Sequence, residues 1–124
     1  MYHFLIVAAG GALGAGLRHL INMAVVRFAL SFPWGTLAVN VVGSLVMGIF
    51  IELLARRLGA SAELRLFVAT GILGGFTTFS AFSLDVAVLW ERGAPGLAAV
   101  YVVASVVGAI LALFAGLWLA RSLA

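Results

Sequence analysis

The sequence has no cysteine and no lysine, only two prolines, and charged side chains at just 9% of its 124 positions. Each shortage closes a class of function. Without cysteine there is no disulfide framework, no thiolate metal site and no cysteine nucleophile. The seven basic residues are all arginines, standing singly or as the pair Arg56 and Arg57, so they form no stripe or patch for nucleic acid. They read as anchors at helix ends, with their stems in apolar surroundings. No grouping of His, Asp, Glu and Ser makes a catalytic constellation. His3 and His19 have no partners at metal-ligand spacing, so an enzyme is not expected.

What is abundant is apolar. Hydrophobic residues make up 65% of the chain, and its mean hydropathy of +1.28 is outside the usage of soluble domains. Four runs lack any Asp, Glu, Lys or Arg: Met1 to Leu17, Phe28 to Ile51, Leu66 to Leu84 and Gly93 to Ala120. Each is near or above the roughly 18 residues that read as a spanning helix. The first run lacks the basic start and polar cleavage segment of a secretory signal, so it is read as a retained helix.

The sequence therefore predicts an all-α integral membrane protein, one domain over 1–124, with transmembrane helices at about 2–26, 34–54, 64–90 and 96–120. Ser31, Phe32 and Pro33 separate the first two, and Trp34 opens the second at the membrane interface. Arg56, Arg57, Leu58 and Gly59 end it with cations and a glycine. Ser61 precedes Glu63 and Leu64 as an N-cap; Glu91 to Pro95 break the third helix, and Arg121 caps the fourth.

An even number of spans puts Arg56, Arg57, Arg65 and Arg121 on one side and Arg27 and Arg92 on the other. So small a bias favours cytoplasmic termini only weakly and makes insertion in both orientations physically reasonable. A unit that inserts both ways can pair antiparallel with itself. Fifteen glycines also need a reason, since each costs about 1 kcal/mol relative to alanine in a helix in water. Gly10 with Gly14, Ala12 with Gly16, and Ser44 with Gly48 are small-xxx-small pairs that let helix backbones approach.

The least ordinary stretch is GGFTTFSAFS, Gly74 to Ser83, inside the third apolar run. Either it is a tightly packed helix whose threonine hydroxyls bond back to the preceding turn, or the helix is interrupted at 74–78. Irregular backbone at bilayer depth survives only where protein or a polar cavity satisfies it, so a break points to an ion site. Carbonyls near Gly74 and Thr77 would then suit a hard cation, and amides opening the second half would suit an anion. Phe79 and Phe82, spaced i, i+3, share a face as core packing or as a pair of positive ring edges toward an anion. Asn40 either donates its amide to an anion or bonds a neighbouring helix. Tyr101 and Ser105, at i, i+4, are a run of hydroxyl donors or an ordinary interface pair. Arg18 lies inside the first apolar segment, where a charge costs about 2.5 to 3.5 kcal/mol; it either pairs with a carboxylate such as Asp85 or lines an aqueous vestibule. Asp85 marks the wet end of its helix or neutralises an arginine.

Together these segments resemble the Fluc/CrcB family of fluoride channels over all four helices. GALGAGLRH is similar to its first-helix motif, WGTLAVNVVGS to its second-helix asparagine motif, and GGFTTFSAF to its third-helix break, the most specific of the three. The resemblance implies an antiparallel, dual-topology homodimer in the cell membrane, with two fluoride pathways and a central Na+ that is structural and not transported. It implies passive fluoride export that relieves toxicity. By similarity Gly74 and Thr77 give backbone carbonyls to Na+, while Phe79, Phe82 and Asn40 line the pathway and Ser80 begins a hydroxyl track. Arg18 matches the family arginine, and Tyr101 and Ser105 match fourth-helix hydroxyls. Three positions depart from the pattern. Ala81 removes one hydroxyl from the track, His19 replaces an aromatic, and Phe76 replaces an aliphatic residue.

Two other readings fit the size and hydropathy. A small multidrug transporter also has four short helices, but needs a membrane-embedded glutamate in the first, where this chain has Arg18 and no acid before Glu52. A non-transporting scaffold would account for the glycines, but not for a polar break followed by paired phenylalanines.

Overall fold

In the computed structural model, residues 1–25, 32–58 and 61–123 are described. Val26, Arg27, Ser31 and Gly59 lie outside them, as does the side chain of Arg57. Among the described residues the secondary structure is helical, without strand. Four helical stretches are long and apolar enough to cross a membrane: Tyr2–Val25, Trp34–Arg56, Ala62–Glu91 and Pro95–Leu123.

Helix α1 is Tyr2–Val25 and α2 is Trp34–Leu53, the latter opening directly after Pro33. Past Leu53 the turns widen to π geometry over Leu54–Leu58. The third stretch begins as α3, Ala62–Arg65, where the Ser61 hydroxyl accepts from the Leu64 amide at 3.1 Å and so satisfies one of the orphan donors of a helix start. It then runs as a π-helix over Leu66–Leu73, the Gly74 amide reaching back to the Ala69 carbonyl five residues earlier. Widened turns of this kind are rare and concentrate where function needs irregular backbone. A short α4, Gly74–Phe76, follows, and then the helix stops. Thr77 is extended (φ −81°, ψ 157°), and regular helix resumes as α5, Ser80–Glu91. Gly74 and Gly75, expected within the irregular segment, are helical; the residues outside the helix are Thr77, Thr78 and Phe79. Gly93 turns the chain with φ 78°, and α6 runs over Pro95–Leu123, its proline at the start where a missing amide costs nothing.

Two parallel pairs make up the bundle. Along α1, Gly10 faces Phe67 and Gly71, while Gly14 faces Ile72 and Phe76, so the two chains ascend together. A Cβ on Gly14 would stand 2.0 Å from the Ile72 carbonyl oxygen, which no side chain can occupy. The second pair is α2 with α6, in register from Val41 beside Gly108 to Glu52 beside Arg121. Here a Cβ on Gly116 would come 2.3 Å from the Leu45 carbonyl. Of the proposed small-residue pairs, Gly10, Gly14 and Gly48 lie at such close crossings. Gly16 does not: among the described residues of other elements, nothing comes within 4 Å of its Cβ position.

Between the pairs, Phe82, Leu89, Ala98 and Tyr101 form a buried cluster, with Tyr101 completely covered. Apolar faces toward lipid are otherwise open, as a membrane solvent permits.

A candidate ion site at the interrupted segment

Three backbone amides and three carbonyls decide what the interruption offers. In a continuous helix the Thr78 amide would bond the Gly74 carbonyl; it donates instead to Asn40 Oδ1 at 2.8 Å. The Ala81 amide would bond the Thr77 carbonyl; it donates instead to Thr78 Oγ1 at 3.1 Å, so Thr78 caps the second half-helix. The Phe79 amide would bond the Gly75 carbonyl, and there Arg18 Nε takes its place at 3.2 Å. Gly74 and Thr77 are thus left with carbonyl oxygens that have lost their helical donors, and Gly75 is not. Gly74 is exposed and Thr77 half-buried in this chain, and at bilayer depth carbonyls of this kind require another partner.

Asn40 makes the most of its amide. Besides accepting from the Thr78 amide, its Nδ2 donates to the Thr78 carbonyl at 2.9 Å, so one side chain clamps both polar groups of one residue. Both readings of this residue therefore meet: it bonds a neighbouring segment, and that segment is the irregular one. Thr77 turns its hydroxyl back on the Leu73 carbonyl at 2.9 Å, alongside its own amide at 3.0 Å. Gly43 on α2 admits this residue, for a Cβ there would meet the Thr77 methyl at 2.4 Å.

A cavity of about 450 Å³ opens beside the interruption, lined in part by Asn40, Gly74, Thr77, Phe79, Phe82 and Ser105. Among the described residues its lining carries no charged side chain. The rings of Phe79 and Phe82 have centroids 5.4 Å apart and planes tilted by 50°. Phe82 is buried, whereas Phe79 is 76% exposed within this chain. Ser105 Oγ is buried without a hydrogen-bond partner among the described residues, an exception that calls for a ligand or water.

Ser80, Tyr101 and Arg18 stand outside that lining. Ser80 is exposed one step away, its Oγ 3.4 Å from Thr78 Oγ1. Tyr101 lies behind Phe82, ring centroids 5.2 Å apart, and donates its hydroxyl to Asp85 at 2.9 Å. Arg18 and Asp85, considered as an ion pair, are not one: the arginine holds the Gly75 carbonyl and the aspartate is taken by Tyr101.

Asp85 and Ala81 also line a second cavity of about 320 Å³, together with Asn22, Thr36 and the aromatic Trp34. Asn22 and Thr36 escaped the sequence reading. Their signal was available, since each is a hydrogen-bonding side chain in an apolar run. Thr78 was visible within its motif, but not as a cap. Among the described residues no three His, Cys, Asp or Glu side chains gather into a metal site.

Four membrane-length helices, one of them carrying an interruption at which Gly75 and Thr78 take partners from other helices, define a multi-pass membrane protein built to hold irregular backbone. A family model described as CrcB-like protein, Camphor Resistance (CrcB), matches residues 5–117, and the chain belongs to this family. A protein of Chelativorans sp. (strain BNC1), named Fluoride-specific ion channel FluC, is 64% identical over 124 residues, covering 99% of both chains. A protein of the same name from Mesorhizobium japonicum is likewise 64% identical over 99% of each chain. The one from Agrobacterium fabrum is 57% identical at the same coverage.

Proposed function

We propose that this chain is a subunit of a fluoride-selective channel that lets F− leave the cell passively across its membrane and so limits fluoride toxicity. The observation that carries the reading is the cavity at the interruption, whose described lining is uncharged and brings Phe79, Phe82, Asn40 and Ser105 together. The relatives' names, which specify fluoride and a channel, agree with that chemistry. Neutral donors and positive ring edges replace part of an anion's hydration without trapping it, as conduction requires. Arginine in the lining would bind an anion more tightly, and here Arg18 is committed to a carbonyl.

In this reading the third membrane segment is broken mid-membrane, and the working unit is an antiparallel, dual-topology homodimer. The exposure of Phe79 supports it, because a ring beside bare backbone would otherwise face lipid. The carbonyls of Gly74 and Thr77 fit a structural Na+, a hard cation satisfied by neutral oxygens, since both have lost their helical donors. Na+ would supply charge balance and rigidity at the break, and Asn40, Thr78 and Arg18 would hold the backbone that presents those oxygens. The track implied for Ser80, Tyr101 and Ser105 has a gap at Ala81, which lines the second cavity without a hydroxyl. No bond of fluoride or protein is made or broken in such a cycle, so the protein acts as a transporter and not as an enzyme.

The test is flux. Purified protein in liposomes with Na+ present should release fluoride far faster than chloride, and that fluoride release should collapse when Na+ is replaced by a bulky organic cation. Equal rates for the two anions would sink the proposal. Retained fluoride flux after complete Na+ removal would sink its structural-cation part alone.

A further inference from the structure

At the opposite end of the bundle from the second cavity, α2 and α6 reach the membrane boundary side by side. Glu52, only 8% exposed, stands between two arginines. Arg56, one turn on along the same chain, and Arg121, from α6, both donate Nε to the same carboxylate oxygen, Oε1, the second at 3.0 Å. Two guanidinium groups on one carboxylate leave a surplus of one positive charge (2 − 1 = +1). The bonds use Nε of each arginine; the terminal nitrogens have no protein partner among the described residues. Both side chains are about half exposed, at 50% and 54%. Trp118, one turn before Arg121 on α6, is 64% exposed, a position typical of an interfacial indole.

We propose that Glu52, Arg56 and Arg121 form a seat for the phosphodiester of an anionic membrane lipid. The guanidinium fork matches phosphate oxygens in geometry and charge. The site ends two membrane-length helices, so what it meets is the headgroup layer. A single surplus charge complements a headgroup of net charge −1, of the phosphatidylglycerol class, better than a zwitterionic one that carries its own ammonium. Glu52 is the positioning residue. It holds forks from two helices at a fixed separation, and such preorganisation lowers the ordering cost of binding. None of this depends on which ion the protein conducts.

Native mass spectrometry of the full-length protein, exposed to equal amounts of phosphatidylglycerol and phosphatidylcholine, tests the seat. The wild type should retain phosphatidylglycerol. Arg121→Gln and Arg56→Gln should each lower its preference about fivefold, the effect of one basic residue at headgroup level. Arg92→Gln, at the other membrane boundary, should change it less than twofold. Glu52→Gln separates a built seat from diffuse attraction, because it raises the surplus charge while releasing the forks. The seat predicts a lower preference; a higher one would overturn it. Equal losses in the Arg56, Arg92 and Arg121 variants would overturn it too, and so would loss of the retained phosphatidylglycerol on adding millimolar inorganic phosphate. The Arg56→Gln variant removes the other fork and serves if Arg121→Gln fails to fold.

Discussion

The two parallel pairs use one packing device for opposite ends. In α2 with α6, glycines bring two uninterrupted helices together, and the approach yields a rigid strut ending in the Glu52 cluster. In α1 with the third stretch, glycines bring a regular helix against one that is first over-wide and then interrupted. There the close approach lets Arg18 reach the Gly75 carbonyl, so α1 acts as a splint for its irregular neighbour. Small residues alone therefore do not mark the working part of this molecule. The polar groups that the seam must satisfy do.

The comparison breaks most sharply at Asn40. Asn40→Ala leaves both polar groups of Thr78 without their partner, at about 1–3 kcal/mol for each buried group. Fluoride efflux from liposomes should fall by about a hundredfold or more, with faster amide exchange at Thr77 to Phe79. Normal flux would mean that the α2 strut does not control the interruption. Next comes the splint. Gly14→Ala forces a Cβ against the Ile72 carbonyl and should cost about 1–3 kcal/mol in thermal unfolding, whereas Gly16→Ala, with open space, should stay within about 0.5 kcal/mol. Similar losses at both would erase the distinction between seam and surface.

Smaller effects sharpen the picture inside the cavity. Phe79→Ile and Phe82→Ile keep bulk but remove the ring edge, and each should slow fluoride flux about tenfold, near 1.4 kcal/mol, without changing the assembled mass. Unchanged flux would remove the rings from the mechanism. Ser105→Ala should slow it only about three- to fivefold, the worth of one neutral hydrogen bond. A flux loss there matching that of Asn40→Ala would make the fourth helix, and not the interruption, the controlling element.

How much of this was legible depended on range. Four helices were readable because hydropathy and the absence of charge are local, and so was the Ser61 cap, three residues from its donor. The GGFTT stretch advertised itself through composition, but the placement of the irregular residues did not. Gly74 and Gly75 are helical because a π stretch precedes them and carries the chain past, and nothing in their own propensities says so. Arg18 illustrates the other limit. Its cost at depth was plain, but a carboxylate and an aqueous vestibule stood open equally as compensation, and only the packing of α1 reveals a backbone carbonyl 57 residues away. Family resemblance was legible for a different reason: three motifs in order are a long-range signal carried by sequence itself.

That 57-residue separation also sets a schedule for biogenesis. During synthesis Arg18 enters the translocon long before Gly75 has been made, and through that interval its guanidinium has nothing in the bilayer to hold. The nascent first helix must therefore wait with this arginine drawn toward the lipid headgroups or beside the translocon's aqueous channel, and settle to its final depth only when the third stretch arrives.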